Sequence, residues 1–158
     1  MQQLTVAVVG GSIAGCSAAI LLSRAGHDVH VYERSPGGLV GRGGGIGTPL
    51  PVLQGLMAED IVDSDMPHLV ADSMPFIVRT DDASETGVVP WEMPMQLGAF
   101  HWSALWGQLR GRVPDDRYHR SAVVTDVTDD ALVGMTVSFE EGEAVTADLV
   151  VFADGYHS

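Results

Sequence analysis

The chain has 158 residues, of which 46% are hydrophobic and 18% are charged, and its formal net charge is −13. This length and composition suit a soluble globular domain with a core of its own. The acidic balance disfavours nucleic acid and anionic membranes as partners, since both are negatively charged. All eight basic residues are arginines, which excludes mechanisms that need a lysine, such as a P-loop or a Schiff base.

Cys16 is the single cysteine of the sequence, so neither an internal disulfide nor a multi-cysteine zinc site is available, and no metal ligand set is predicted. Its place in an alanine-rich helical segment favours a packed thiol over a nucleophile. The sequence shows neither a charged signal-peptide start nor an apolar run of the roughly 20 residues that a membrane span needs. We therefore expect a cytoplasmic protein.

A strand, a loop, a helix and a second strand are predicted at the start of the chain. The apolar, β-branched run Leu4–Val9 indicates a buried parallel strand. The segment Ile13–Ala25 predicts a helix that Gly26 ends, and "HDVHVYER" predicts the next strand, which closes on Glu33. This βαβ unit of about 30 residues is the context in which a glycine-rich loop points to nucleotide binding.

The loop "GGSIAG" departs from the usual Gly-x-Gly-x-x-Gly pattern at its second glycine, where Ser12 stands. Gly10 permits the tight turn and Gly15 lets the helix pack closely, while Ser12 occupies the position where backbone approaches a diphosphate. Free amides at the start of the helix, at Ile13 and Ala14, add attraction for an anion. The loop therefore predicts a diphosphate site, and the alternative is an ordinary glycine-rich turn.

Glu33 lies 23 residues after Gly10, at the end of the second predicted strand. A carboxylate there can accept hydrogen bonds from the hydroxyls of an adenosine ribose, and it would repel a 2′-phosphate. This disfavours NADP in the loop site. The loop alone does not distinguish NAD from FAD.

The last third of the chain predicts strands rather than the further βα units of an NAD-binding domain. The segments "HRSAVVTDVT", "LVGMTVSFEEG" and "EAVTADLVVFADG" indicate successive antiparallel strands, with turns at Asp129-Asp130 and Glu140–Glu143. A final buried strand is predicted at Leu149–Phe152. A β-meander inserted before that strand argues against an NAD-linked fold.

The middle of the chain predicts a short helix within Thr48–Asp60 and a hairpin turning around Ser84–Gly87. The segment "AFHWSALWGQLRGRV" predicts a helix whose apolar stripe, including Trp102 and Trp106, is more typical of core than of a cofactor contact. His101 is interpreted as a satisfied or exposed histidine, and no catalytic role is assigned to it.

In chain order, "GGSIAGCSAAILLSRAGHDVHVYER", "GRGGGI", "FHWSALWGQL" and "ADLVVFADGYHS" resemble the N-terminal part of the group A FAD-dependent aromatic monooxygenases, the aromatic hydroxylases. The spelling "GGSIAG", the stretch "RYHRS" and the aromatic Trp102 are most similar to the 2,6-dihydroxypyridine 3-hydroxylase branch. Many members of the family carry an arginine where Trp102 stands, so their arginine contact near the flavin is not carried over.

The resemblance implies an α/β, Rossmann-like FAD-binding fold, a parallel sheet with a β-meander, joined to part of a substrate-domain β-hairpin. Residues 1–158 would form a fragment of the FAD-binding domain, with 70–98 in the substrate-binding sheet. The C-terminal remainder of the family fold would be absent, so a truncated chain, a fragment or half of a split enzyme is expected. Exposed apolar surface would then dock a second copy or a complementary polypeptide.

Carried over residue by residue, the resemblance assigns a set of positions to FAD. They are Gly10, Ser12, Ile13, Ala14 and Gly15 at the diphosphate, Glu33 at the ribose, Arg34 at the adenosine, Arg42, Gly44, Gly45 and Ile46 beside the diphosphate and isoalloxazine, and Val124 at the adenine. Asp154 resembles the aspartate of an Asp-Gly motif associated with both FAD and NAD(P)H. Arginine suits phosphate and glycine allows backbone to approach a flat ring, although composition alone also fits a flexible linker at "GRGGGIG".

The activity that the resemblance implies is hydroxylation of a small aromatic or hydroxypyridine-like ring, with NADPH or NADH and O₂, through a flavin hydroperoxide. The cofactor would supply the redox chemistry, so the protein needs no nucleophile, and no catalytic residue is assigned. Two alternatives remain, a non-catalytic FAD- or nucleotide-binding module and a fragment of an NAD-linked oxidoreductase. A flavin absorption spectrum separates them.

Overall fold

The structure is a computed structural model that describes residues 2–81, 86–130 and 134–155. Its strands are β1 (Thr5–Val9), β2 (Asp28–Glu33), β3 (Gly45–Pro49), β4 (Leu69–Val78), β5 (Val88–His101), β6 (Tyr118–Arg120), β7 (Val124–Asp130), β8 (Gly134–Phe139), β9 (Val145–Ala147) and β10 (Leu149–Phe152). Its helices are α1 (Ile13–Arg24), α2 (Leu50–Ala58) and α3 (Trp102–Gly111), with a turn of 3-10 helix at Asp115–Arg117.

The chain divides into two compact units. The first comprises Met1–Arg42 and Leu105–Ser158, and the second comprises Gly43–Ala104. Within the residues that the structure describes, no helix is both long enough and apolar enough to cross a membrane.

The first unit is built on a parallel sheet in the order β10-β1-β2-β6. Val6, Val8 and Val31 in its central strands are fully buried, as expected of strands covered on both faces. The predicted α/β, Rossmann-like fold is therefore confirmed, and the predicted strand at Leu149–Phe152 is β10. The prediction that this strand is buried is wrong, because β10 lies at the edge of the sheet and Leu149 and Phe152 are 39% and 61% exposed.

Helix α1 and the antiparallel strands cover opposite faces of this sheet. A side chain at Gly15 of α1 would meet Val8, whereas the neighbouring Ala7 packs against Val137 and Ala147 of the antiparallel strands. Successive residues of a strand point to opposite faces, so the two layers lie on either side of β1. Helix α1 ends where predicted, because Gly26 adopts a φ of +91° and its N–H donates to Ser23.

The β-meander is confirmed as an antiparallel sheet in the order β7-β8-β9. The segment "HRSAVVTDVT" was predicted to form one strand, but it contains the end of β6, which pairs in parallel with β2, and then β7. Ser121, at a φ of +56°, separates the two strands. The turn predicted at Asp129-Asp130 is wrong, since both residues pair within β7 and the connection that follows lies outside the described residues.

The second unit contains an antiparallel sheet in the order β3-β5-β4. Strands β4 and β5 form the predicted hairpin, although residues 82–85 of the expected turn lie outside the described residues. The predicted short helix is α2. The prediction of helix at Ala99–His101 is wrong, because these residues extend β5 and pair with Gly45–Gly47 of β3.

Candidate cofactor site

The loop between β1 and α1 carries the first predicted diphosphate residue, Gly10. This residue has a φ of +100°, which side-chain-bearing residues rarely adopt, and a Cβ on it would lie 2.6 Å from the Ala153 carbonyl oxygen. The same Cβ would lie 2.8 Å from the Cα of Asp154. The Asp-Gly motif after β10 is therefore packed against the loop, as its place at the end of a parallel strand requires.

Gly15 allows the helix to approach the loop. A Cβ at this position would lie 1.8 Å from the Gly10 carbonyl oxygen and 3.4 Å from the Val8 side chain. Backbone rather than a movable side chain fills that space. The close packing predicted for Gly15 is thus present, while its contact with a diphosphate stays a prediction.

Ser12 is the N-cap of α1, and its backbone is extended at φ −81° and ψ −165°. Its carbonyl accepts the first helical hydrogen bond, from the Cys16 amide at 2.9 Å. The amides of Ile13 and Ala14 precede that bond, so they have no acceptor inside the helix. Ala14 is exposed and the first turn, "IAGC", is uncharged, so an anion would meet helical amides without acidic side chains among them.

Glu33 lies at the same loop, at the carboxyl end of β2, and is 6% exposed. Its Oε2 accepts the Gly11 amide at 2.8 Å, and its Oε1 accepts the Ser35 amide at 2.9 Å. Each carboxylate oxygen can accept a second hydrogen bond, so capacity remains for ribose hydroxyls. The sequence predicted that Glu33 lies at the loop. It did not predict that the Glu33 carboxylate also holds the loop backbone through the Gly11 amide.

The predicted arginines follow Glu33. Arg34 is exposed, and a long contact of 3.5 Å joins Arg42 Nη1 to the Ser35 hydroxyl. Ser35 is also the residue whose amide holds Glu33, so the first unit brings Arg42 to the Glu33 end of the loop. Arg42 thus places a positive charge near the buried carboxylate, where a guanidinium suits a phosphate-bearing ligand.

The second unit contains Gly44, Gly45 and Ile46, whose backbone takes part in a hydrogen bond or in strand pairing. The Trp102 amide donates to the Gly44 carbonyl at 2.9 Å, and Gly45 and Ile46 begin β3 opposite β5. The flexible-linker alternative is therefore wrong for Gly45 and Ile46. Their predicted contact with the isoalloxazine ring stays a prediction.

Val124, predicted at the adenine, begins β7 and packs partly buried against Ala7, Val137 and Ala147. Just before it, the Ala122 amide donates to the Glu33 carbonyl at 3.0 Å. The start of the meander is therefore tied to the end of β2. The adenine contact itself stays a prediction.

A buried polar cluster beneath the loop was not predicted from the sequence. Tyr118 Oη and Trp106 Nε1 donate to the Gly11 carbonyl at 2.9 and 3.0 Å, and Cys16 Sγ lies 3.3 Å from the same oxygen. The Arg110 guanidinium stacks on the Tyr118 ring, 4.1 Å from its centroid. The aromatic residues are about a hundred positions from Gly11 in sequence, so no local pattern could reveal the cluster.

Burial determines the chemistry of the titratable groups in this cluster. It raises the pKa of the Cys16 thiol to about 12, with Arg110 opposing the rise. Burial likewise raises the pKa of Tyr118 well above its usual value. Both groups are therefore protonated near neutral pH, Cys16 as the packed thiol that the sequence predicts and Tyr118 as a hydrogen-bond donor.

The parallel sheet, the glycine-rich loop into α1 and the buried acid at the end of β2 together define a Rossmann-like dinucleotide-binding unit. A family model described as an NAD(P)-binding Rossmann-like domain matches residues 8–44.

The chain is 35% identical over 150 residues to 2,6-dihydroxypyridine 3-monooxygenase of Paenarthrobacter nicotinovorans. This match covers 95% of this chain and 36% of that protein. It is 30% identical over 169 residues to the FAD-dependent monooxygenase dpmaE of Metarhizium anisopliae, covering 99% of this chain and 35% of that protein. The solved structure of 2,6-dihydroxypyridine-3-hydroxylase from Arthrobacter nicotinovorans matches with a TM-score of 0.80 and 31% identity, over 98% of this chain and 37% of that one.

The predicted resemblance to the N-terminal part of the FAD-dependent aromatic monooxygenases, and to the 2,6-dihydroxypyridine branch among them, is confirmed by these matches. The chain spans about a third of the length of these two curated relatives.

Proposed function

We propose that this chain forms the FAD-binding part of a monooxygenase that hydroxylates a small aromatic or hydroxypyridine-like ring, with NADPH or NADH as electron donor and O₂ as oxidant. One observation supports this most strongly. The loop backbone is held against Glu33 and the Asp-Gly motif in a chain that is similar over nearly its full length to an enzyme of that chemistry.

The residues present fit the dinucleotide part of FAD. Gly10 and Gly15 leave no room for side chains at the loop, so backbone amides can face a diphosphate. In the proposal, Ser12, Ile13 and Ala14 donate those amides, and Glu33 accepts the ribose hydroxyls with its remaining lone pairs. Arg34 adds positive charge at the adenosine, Arg42 adds positive charge beside the diphosphate, and Val124 packs against adenine.

When bound, FAD would supply the electron transfer and oxygen activation that no side chain can provide. The protein's own contribution is binding and orientation. In this proposal the backbone of Gly44, Gly45 and Ile46 lies along the flavin, Asp154 contributes to the FAD and NAD(P)H contacts, and residues 70–98 form part of the substrate-binding sheet. No side chain is assigned a catalytic role.

Binding is tested by purifying the chain, adding FAD, removing excess cofactor and recording the visible spectrum. A retained flavin spectrum supports the proposal. A protein that binds NAD but rejects FAD would contradict it and favour the NAD-linked alternative. Glu33→Gln is the test variant and Glu143→Gln, in an exposed connection after β8, is the matched control.

Turnover is a separate question. The flavin-loaded protein is mixed with NADPH or NADH, a dihydroxypyridine and air, and oxygen uptake is recorded. Uptake that depends on the ring compound supports monooxygenation. Flavin binding without any uptake favours the non-catalytic module.

We further propose that the antiparallel sheet of the second unit is covered by more polypeptide of the kind that makes up the other two thirds of the relatives. The support is a set of exposed apolar side chains on β4 and β5, namely Leu69, Val70, Phe76, Ile77, Val78, Val88, Val89 and Trp91. Leu69 is 76% exposed and Trp91 54%. The alternative is that a second copy of the chain covers this sheet. Light scattering after size exclusion would then show a dimer in the wild type and a monomer in Trp91→Glu.

A further inference from the structure

The peptide bond between Gly11 and Ser12 is held on its carbonyl side by the interior of the first unit. Tyr118 Oη and Trp106 Nε1 donate to the Gly11 oxygen at 2.9 and 3.0 Å, which fills the two lone pairs of a carbonyl. Tyr118 and Trp106 are 6% and 4% exposed. Gly11 itself is buried, and a Cβ on it would lie 2.1 Å from the Tyr118 oxygen.

The geometry of a peptide bond transmits this anchoring to the next amide. The carbonyl and the following N–H of a trans peptide lie in one plane and point in opposite directions. Because the Gly11 oxygen points inward to Tyr118 and Trp106, the N–H of the half-buried Ser12 points away from these two buried side chains. The N–H of Gly11 itself donates to Glu33 at 2.8 Å. The peptides on both sides of Gly11 therefore have fixed orientations.

We infer that Tyr118 and Trp106 are positioning residues that aim the Ser12 amide at the diphosphate of the bound dinucleotide. The inference rests on the proposed function, since it assigns the diphosphate to this loop. Neither side chain touches the ligand. They act by making the reverse orientation of the peptide costly, because a flipped Gly11 carbonyl would break its hydrogen bonds from two buried donors.

The surroundings of Tyr118 suit a permanent donor. The Arg110 guanidinium stacks on its ring at 4.1 Å, which restrains the ring. Burial raises the pKa of the Tyr118 phenol further above its usual value, so the phenol stays protonated near neutral pH. Cys16 Sγ, 3.3 Å from the same oxygen, is a weaker third contact. The anchoring of the carbonyl therefore does not depend on pH in the neutral range.

The test compares ligands with and without a diphosphate in the full chain. ADP and adenosine are titrated against wild-type protein, Tyr118→Phe and Trp106→Phe, with amide NMR as the readout. Tyr118→Phe keeps the ring and loses the hydroxyl donor, whereas Trp106→Phe replaces the indole by a smaller aromatic ring and loses the N–H donor. We expect ADP to bind about threefold to tenfold more weakly to each variant, as for loss of one oriented hydrogen bond, with adenosine affinity unchanged. Tyr32→Phe, which removes a hydroxyl from β2 without removing a donor to Gly11, is the control and should leave both affinities unchanged.

A general structural defect would weaken ADP and adenosine together, so equal losses overturn the inference. An ADP affinity equal to wild type in both variants overturns it as well, while FAD binding by the wild type would leave the proposed function standing. If wild-type protein binds neither ADP nor FAD, the proposed function and the inference fall together. Should one variant fail to fold, the other gives the result, and the Ser12 amide resonance of the free protein should shift in whichever variant folds.

Discussion

Replacing Gly15 by alanine should destabilise the first unit, although alanine is the better helix former. The added Cβ would lie 1.8 Å from the Gly10 carbonyl oxygen, where ordinary contact begins at 3.4 Å. The atom in the way belongs to the backbone of the loop, and Gly10 is itself packed against Ala153, so neither side can move independently. The helix must shift away from the loop.

The expected size follows from two opposing effects. Overpacking of this kind costs up to about 3 kcal/mol. Exchange of glycine for alanine within a helix contributes about 1 kcal/mol in the other direction. The net loss for Gly15→Ala is therefore about 2 kcal/mol. Gly107→Ala is the matched control, because Gly107 is also helical and an added Cβ there meets nothing within 4 Å. The control should gain up to about 1 kcal/mol.

Urea unfolding followed by circular dichroism gives both changes from the shift in midpoint at constant slope. The two variants should differ by about 3 kcal/mol in the free energy of unfolding, with Gly15→Ala lower. The shift of α1 should also weaken FAD binding in Gly15→Ala and leave it unchanged in Gly107→Ala. Equal stability of the two variants would refute the close packing of α1 on the loop.

Other predictions follow from the contacts around the site. Glu33→Gln should lower the free energy of unfolding by about 2 kcal/mol, because one of the two amides facing the carboxylate would then face an NH₂ group, and an unchanged urea midpoint would contradict this. Cys16 should resist a thiol reagent at pH 8 until urea is added, since burial raises its pKa to about 12, and rapid labelling of folded protein would be the contrary result. Burial, and then the nearby charges of His30 and Arg117, lower the pKa of His119 in the folded protein. As pH falls through about 6.5, the unfolded chain therefore binds more protons than the folded protein, and the free energy of unfolding should decrease. This decrease should be less steep in His119→Gln. The same slope in that variant as in the wild type would assign the effect to another group.

The elements that could be predicted from the sequence are those with a local signature. Strand β1 and helix α1 were placed within a residue at each end, because an apolar run, a glycine loop and the helix-ending Gly26 follow one another directly. Glu33 was found for a similar reason, since its place at the end of β2 follows from the length of the βαβ unit. The meander was recognised from alternating patterns separated by turn residues.

Features that depend on distant partners were missed. The strand β6 has only three residues, Tyr118–Arg120, and owes its existence to pairing with β2 some 90 positions earlier. The strand at Ala99–His101 was mistaken for helix because its pairing partner, Gly45–Gly47, is rich in glycine and gives no strand pattern. The donors to the Gly11 carbonyl were missed for the same reason. Hydrophobic periodicity predicts that Trp106 lies in the core, but it does not predict where its indole N–H points.

Ser12 shows why a broken motif can still give the fold that the intact motif predicts. Gly10 needs a positive φ and Gly15 needs an absent side chain, and no other residue meets either demand without strain. Ser12 has a φ of −81° and a half-buried position, so its backbone conformation is open to any residue. In the proposed site, the middle position of the motif is restricted only by the approach of the diphosphate. A serine there therefore leaves the loop intact.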